Sequence, residues 1–400
     1  MRVRHHRVTT ASAAFGLAAA LICTAAVSTA SAATQPRSGI TVNSFNSSYS
    51  AMKQLIPITK AGNGKGGIGV LLPDEVTSTR YVQYDKPNLA RAFATAGLKA
   101  SSLTIQNALG STSTQIAQAE AMIAKGVKVL LLDALDGPTG VTIESKAKAA
   151  HVKVIDYDRL VLGGSRLYYV SFDNVYVGHL LGTGLVSCAA SWHVAHPKAI
   201  VMAGAPTDNN ATLFSQGYNA VLKPLFSKGT WVKEAAPAGT WTPSVALQEF
   251  QQAFTAHPKS NVLLSPNDEN AAPIITYMKN TLKVKPLTFP VTGQDATLTG
   301  VQNMITNYQC GTVYKPIYLE AQGAAALALY LRAGKTPPKG LTNGTTLDTT
   351  SMVKVKSVLM HPLWVTAKTV EATIIKDKVI TVKQLCTAAY KKACKAYGIK

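Results

Sequence analysis

The chain has 400 residues, 47% of them hydrophobic, and carries 40 Lys+Arg against 20 Asp+Glu for a net charge of +20. The apolar content is ample for globular packing, and the length exceeds one typical core, so two domains are expected. The basic residues are dispersed except toward the tail (Lys376, Lys378, Lys383, Lys391, Lys392, Lys395, Lys400) and lack a recognition motif. That argues against a nucleic-acid partner and for a basic exported protein beside an anionic cell wall or headgroup surface.

Residues 1–33 read as a cleaved secretory signal. Arg2, Arg4 and Arg7 precede an apolar run over 11–27, and Ala30-Ser-Ala32 is a small-residue cleavage motif. Cys23 follows the bulky Ile22, where a lipoprotein signal wants Gly, Ala or Ser, so ordinary cleavage is expected over lipidation. The product would be exported, to a periplasm or to the extracellular or cell-surface side. Losing three arginines from +20 leaves about +17. No later segment has the ~18 apolar residues that a membrane span needs.

Residues 34–66 are rich in Ser, Asn, Gly and Lys and read as an N-terminal extension or linker. They contain a short helix over 49–56 that Pro57 would end, and a flexible Ala61-Gly-Asn-Gly-Lys-Gly-Gly67 lead-in. Beyond it the pattern alternates. Buried parallel strands are expected over 68–72, 127–132, 152–155, 199–202, 262–264 and 289–291. Helices are expected over 85–96, 114–125, 141–150, 175–190, 211–225, 244–256, 269–279 and 298–308. Such alternation means an α/β fold with mostly parallel sheets, in two doubly wound lobes.

Ligands of such sheets bind beyond the carboxyl ends of the strands. Short polar clusters sit there: Pro73-Asp74, Tyr157-Asp-Arg159, Pro206-Thr-Asp-Asn-Asn210, Pro266-Asn-Asp268 and Gly293-Gln-Asp295. Taken singly, Asp208, Asn210 or Asp268 could be a helix cap. Five clusters at equivalent ends are harder to explain as caps alone. A sugar presents adjacent hydroxyls that both donate and accept, which carboxylates and an Arg fork satisfy. Its apolar ring face stacks on an aromatic side chain.

Cys188, Cys310, Cys386 and Cys394 remain after cleavage, an even count that suggests disulfides in an exported chain. In one unbroken helix Cys386 and Cys394 would lie ~12 Å apart, beyond disulfide reach. Either the helix breaks between them, with Cys188–Cys310 as the second bridge, or they pair elsewhere. None of the spacings suits a metal.

The blocks Tyr157-Asp-Arg159, Ser171-Phe-Asp-Asn174 with Val177-Gly178, Asp208-Asn-Asn210 with Leu213-Phe214, Trp241-Thr-Pro243, Asn267-Asp268, Gly293-Gln-Asp-Ala296 and Thr312-Val-Tyr-Lys-Pro316 resemble the ribose/galactose-type periplasmic sugar-binding protein family, its xylose-binding members above all. The resemblance runs over about 68–377. It implies the type I periplasmic binding protein fold: two doubly wound parallel-sheet lobes joined by a three-strand hinge. The lobes would be 67–172 plus 316–341 and 173–315 plus 342–400, with crossings near 172–174, 313–316 and 341–347. It implies a ligand set of Arg80, Tyr81, Asp158, Arg159, Asp208, Asn210, Trp241, Asn267, Asp295 and Lys315. Tyr81 stands where the family has Trp. Asp173 and Asn174 are assigned to the hinge.

The implied function is capture of a monosaccharide, xylose or a similar aldose, by a monomer that delivers it to an ABC transporter permease. The alternatives are a sugar sensor signalling to a membrane receptor, or a site retuned for another polar solute. No cofactor or metal is expected. An enzyme is not expected either: Gly62-Asn-Gly-Lys-Gly-Gly67 lacks a P-loop ending, two Ser-x-x-Lys matches lack companion motifs, and the histidines show no His-Glu-x-x-His pattern.

Overall fold

The computed structural model describes residues 39–75 and 77–400; the expected signal, Cys23 and residues 34–38 lie outside them. Residues 39–66, expected as a linker, pack instead, with Ile40, Phe45, Tyr49, Met52 and Leu55 buried. A 3₁₀ turn over Ser50–Leu55 runs into α1 (Ile56–Ala61). Pro57 therefore opens a helix instead of ending one, because the first turn has no use for its missing N–H. The Gly-rich lead-in is anchored too. Arg332 Nε donates to the Gly66 carbonyl and Lys65 Nζ to the Ala333 carbonyl, each at 2.7 Å.

The chain then alternates through β1 (Gly67–Leu72), α2 (Lys86–Thr95), β2 (Leu103–Asn107), α3 (Thr112–Ala124), β3 (Val127–Leu132), α4 (Gly137–Ala149), β4 (Lys153–Tyr157) and β5 (Tyr168–Phe172). β1, β3 and β4 are near-continuous apolar runs because helices cover both of their faces. α5 (Asn174–Ser191), β6 (Lys198–Val201), α6 (Asn209–Ser227), β7 (Val232–Ala235), α7 (Pro243–Ala256), β8 (Val262–Leu264), α8 (Asp268–Asn280), α9 (Leu298–Ile305) and β9 (Gly311–Tyr314) follow. α5 crosses α6 closely at Gly178, where a Cβ would stand 2.0 Å from the Phe214 carbonyl oxygen. The last elements are α10 (Ile317–Arg332), β10 (Gly344–Asp348), β11 (Val353–Met360), β12 (Leu363–Thr366), α11 (Val382–Leu385) and α12 (Lys391–Ala396).

One sheet has seven strands in the order β10-β11-β5-β4-β3-β1-β2, all parallel except the β10–β11 hairpin. A second has the parallel order β7-β6-β8. Single bridges from Leu263 to Val291 and from Gln294 to Val313 extend it toward the antiparallel pair β9–β12. The strand expected at 289–291 is thus one bridge. The chain passes between the sheets at Asp173, at Lys315-Pro316 and at His361-Pro362. The Asp173 N–H donates to the Met360 carbonyl at 3.0 Å, tying two crossings together.

This corrects the expected return near 341–347, and with it the placement of 342–400 in the second lobe. β11 pairs in parallel with β5 through Ser357↔Tyr169 to Met360↔Phe172, so residues 344–360 complete the first sheet. The short Thr- and Lys-rich strands carried no sign of which sheet edge would accept them.

α10 was not foreseen. Thirteen of its residues are buried, so it lacks the one-sided period that marks a surface helix. Cys188 bonds Cys310, with Cα atoms 6.0 Å apart, and Cys386 bonds Cys394 at 5.9 Å. The chain breaks between α11 and α12, which is what lets the second pair close. Among the described residues no helix is long and apolar enough to cross a membrane.

Candidate functional site

All ten residues of the expected ligand set line one small cavity between the two sheets. Thr77, Ser78, Phe214 and Gln294 complete its wall. Each arrives from beyond a strand's carboxyl end. Arg80 and Tyr81 follow β1, Asp158 and Arg159 follow β4, and Asp208 and Asn210 lie at the β6–α6 junction. Trp241 follows β7, Asn267 follows β8, Asp295 follows the Val291 bridge, and Lys315 follows β9.

Arg80 organises the first wall. It is 1% exposed. Its Nε and Nη2 grip both oxygens of Asp85 at 2.9 and 2.8 Å, Nη2 also meets Glu320 at 2.8 Å, and Nη1 meets Asp158 at 2.9 Å. Four of its five N–H groups are thereby engaged, leaving one on Nη1. Arg80 thus serves first to hold three buried carboxylates. Asp85 and Glu320 escaped the sequence reading, although a single acid inside an otherwise apolar α10 was the available signal.

Tyr81 donates to Asp158 Oδ2 at 2.9 Å, a bond from a phenol at the position where the family's Trp was expected. Burial alone would raise Asp158. Arg80, Lys315 and Arg159, helped by the Tyr81 hydroxyl, outweigh it and hold the carboxyl below its ordinary value. Asp158 has φ +58° and Asp295 φ +87°, a region costly for residues with a Cβ. Three donors converge on the Asp158 carbonyl: Tyr169 Oη at 2.8 Å, Ser171 Oγ at 2.9 Å and Asn210 Nδ2 at 3.0 Å. The last comes from α6, so the bond joins the two sheets' halves of the molecule.

The second wall centres on Asp208. Its Oδ1 caps α6 by accepting the Asn210 N–H at 2.9 Å. Its Oδ2 accepts Trp241 Nε1 at 3.0 Å and faces Arg159 Nε at 3.3 Å. Capping and lining are compatible here because a carboxylate has two oxygens. Asn267, not Asp268, caps α8, its Oδ1 accepting the Asn270 N–H at 2.9 Å. Asp268 lies beneath, accepting from Gln309, Thr312 and the Thr297 N–H; burial pushes its carboxyl up to about 7. Arg159 also donates to the carbonyls of Ala134 and Leu135, and its Nε lies 3.6 Å from Asp133. Lys315 Nζ pairs with Asp295 Oδ1 at 2.9 Å, and both are buried. Asp173 caps α5, and Asn174 donates to Tyr169 and Asn210, contacts that belong to the crossing.

Trp241 lies flat against Gly204, where a Cβ would come within 2.2 Å of its ring. Gly204→Ala is expected to displace the indole. The expected readouts are a changed Trp241 emission, referenced to Trp241→Phe, and an intact fold by circular dichroism. An unchanged emission would show that the ring has room to spare.

Glu269, at the start of α8, reaches the opposite wall. Its Oε1 accepts both the Thr79 N–H and the Thr79 hydroxyl at 3.0 Å. Burial, then the charges of Asp295 and Asp268, push its carboxyl up to about 8. A raised carboxyl favours the protonated folded form. Its stabilising contribution is therefore full below the ordinary value near 4.5 and is lost as pH rises through about 8. Glu269→Gln, a permanent mimic of the neutral acid, should melt with the parent at pH 5 and above it at pH 9. Parallel melting curves across that range would remove Glu269 as the cause.

A cleft between two doubly wound sheets, lined by three acids, three cations, three amides and three aromatic rings, defines a receptor for a small polar solute. A family model described as periplasmic binding protein domain matches residues 68–336. The D-xylose-binding periplasmic protein of Escherichia coli is 34% identical over 282 residues, 68% of this chain and 80% of that protein. The multiple sugar-binding periplasmic receptor of Rhizobium radiobacter is 30% identical over 338 residues, covering 80% and 92%. Among solved structures, a carbohydrate transporter solute-binding protein from Chloroflexus aurantiacus in complex with D-glucose superposes with a TM-score of 0.70 at 28% identity, over 79% of this chain and 97% of that one. The chain belongs to the periplasmic binding protein family. It has that family's type I fold and is a binding protein, not an enzyme.

Proposed function

We propose that this protein is exported and captures an aldose, xylose or a close relative, in the cleft and presents the closed form to an ABC transporter permease. The convergence of ten side chains from seven separate chain segments on one cavity carries the reading. Arg80, Arg159 and Lys315 supply donors, Asp158, Asp208 and Asp295 accept, and Trp241 and Tyr81 offer ring faces. Closure is favoured by the contacts the second wall adds once the sugar lies on the first. The xylose and glucose named for relatives support trying pentoses and hexoses first.

The test is a thermal-shift scan of the purified protein against pentoses, hexoses and disaccharides. A ligand at ~100 times its dissociation constant adds ~2.7 kcal/mol, a clear melting shift. A large shift with D-xylose, alone or with D-glucose, is expected. No shift with any monosaccharide would defeat the reading.

A further inference from the structure

A second cavity, of about 460 Å³, adjoins the first, and Asp295 and Lys315 line both. One wall comes from the first sheet's side, through Tyr49, Asn88 and Arg91. The facing wall comes from the second, through Lys376, Asp377 and Lys378. Tyr318, just past the Lys315-Pro316 crossing, forms part of its floor. The cavity therefore straddles the junction that a hinge motion would open.

Its charges are unbalanced. Lys315 is paired with Asp295. Asp377 Oδ2 is already engaged by the hydroxyls of Tyr314 and Tyr318, at 2.9 and 3.1 Å. Arg91, Lys376 and Lys378 are exposed, and among the described residues none of them makes an ion pair with an acid. Arg91 lies over the Tyr49 ring at 4.3 Å, which steadies its guanidinium at the cavity edge. Arg91 stands on one wall and Lys376 and Lys378 on the other, so like charges oppose any motion that draws the two walls together.

We infer that this cavity binds a phosphate-type oxyanion, which bridges Arg91 to Lys376 and Lys378 and so favours the closed form. Arg supplies a fork and the lysines point charges, the usual pairing for phosphate oxygens. Because the anion would bind the closed form better than the open one, it must tighten sugar binding, and sugar must tighten anion binding by the same factor. The coupling rests on the sugar-capture reading; the anion site does not.

The experiment has separate arms for that reason. Inorganic phosphate is titrated calorimetrically into the sugar-free protein at an ionic strength held constant with sodium chloride. D-xylose is then titrated with and without phosphate. Phosphate is expected to bind, and to tighten D-xylose about fivefold, the low end of ordinary coupling. The Arg91→Gln/Lys378→Gln double variant should bind D-xylose as the parent does and lose the phosphate effect. Glucose 6-phosphate separates the sources of the anion. Competition with D-xylose, weakened in the double variant, would mark a phosphate carried on the sugar; dependence on inorganic phosphate alone would mark a free one. Absence of phosphate binding to the parent, unchanged phosphate binding in the double variant, or sodium chloride acting equally well would overturn the site. Phosphate binding that leaves D-xylose affinity unmoved would overturn the coupling. Failure of D-xylose alone would leave the phosphate titration to stand or fall by itself.

Discussion

Arg80→Met is expected to destabilise the fold, not merely to weaken ligand binding. The guanidinium holds Asp85, Asp158 and Glu320 at 2.8–2.9 Å with almost no exposure. Removing one partner of a buried pair typically costs 3–5 kcal/mol, because the other charge is left unpaired in a low dielectric. Here three acids lose their cation at once. Burial already pushes Glu320 well above its ordinary value with Arg80 opposing, so the acids' response will be to take up protons. The expected result is a melting temperature lowered by several degrees at pH 7.5, partly recovered at pH 5. The triple variant Arg80→Met, Asp85→Asn, Glu320→Gln should recover more than the single one. A single variant that melts with the parent at both pH values would show that Arg80 is not the organiser of this wall.

Asp295→Asn should act in the opposite way, with a large loss of sugar affinity and a small change in stability. The amide keeps the volume and one carbonyl acceptor facing Lys315, which is buried and needs a partner. What disappears is the charge. Hydrogen bonds to a charged group contribute ~1.5–3 kcal/mol each, and a carboxylate can accept two sugar hydroxyls. Together they predict a loss of about 100-fold or more in affinity for whichever sugar the panel identifies. Calorimetry on the parent and the variant measures it. A variant within threefold of the parent would place the sugar away from Asp295 and undo the proposed site.

The two variants differ because their carboxylate partners differ in place. Arg80 lines the wall but reaches behind it, to Asp85, which Tyr157 also engages, and to the α10 acid. Asp295 sits on the wall, at the partition between two cavities. The sequence carried Asp295 plainly, as a polar cluster after an apolar run. It also carried Arg80, but with a ligand role in view; that most of the donors are spent on buried acids depends on Glu320, 240 residues away.

What the sequence determined by itself was the alternation of buried strands and helices and the polar residues at the strand ends. These are local signals: an apolar run between helical periods reads as a strand covered on both faces, and the residues that follow it must face the crevice. Its resemblance to sugar-binding relatives added the ligand set. The tertiary structure alone decided the rest. It put residues 344–360 at the edge of the first sheet, because strand pairing is a choice of neighbour that short Thr- and Lys-rich segments leave open. It packed residues 39–66 into the fold, because Tyr49, Met52 and Leu55 become a buried face only once α2 and α10 are there to receive them. It also brought Arg91 opposite Lys376 and Lys378 across a second cavity, a meeting of segments some 285 residues apart that no local pattern encodes.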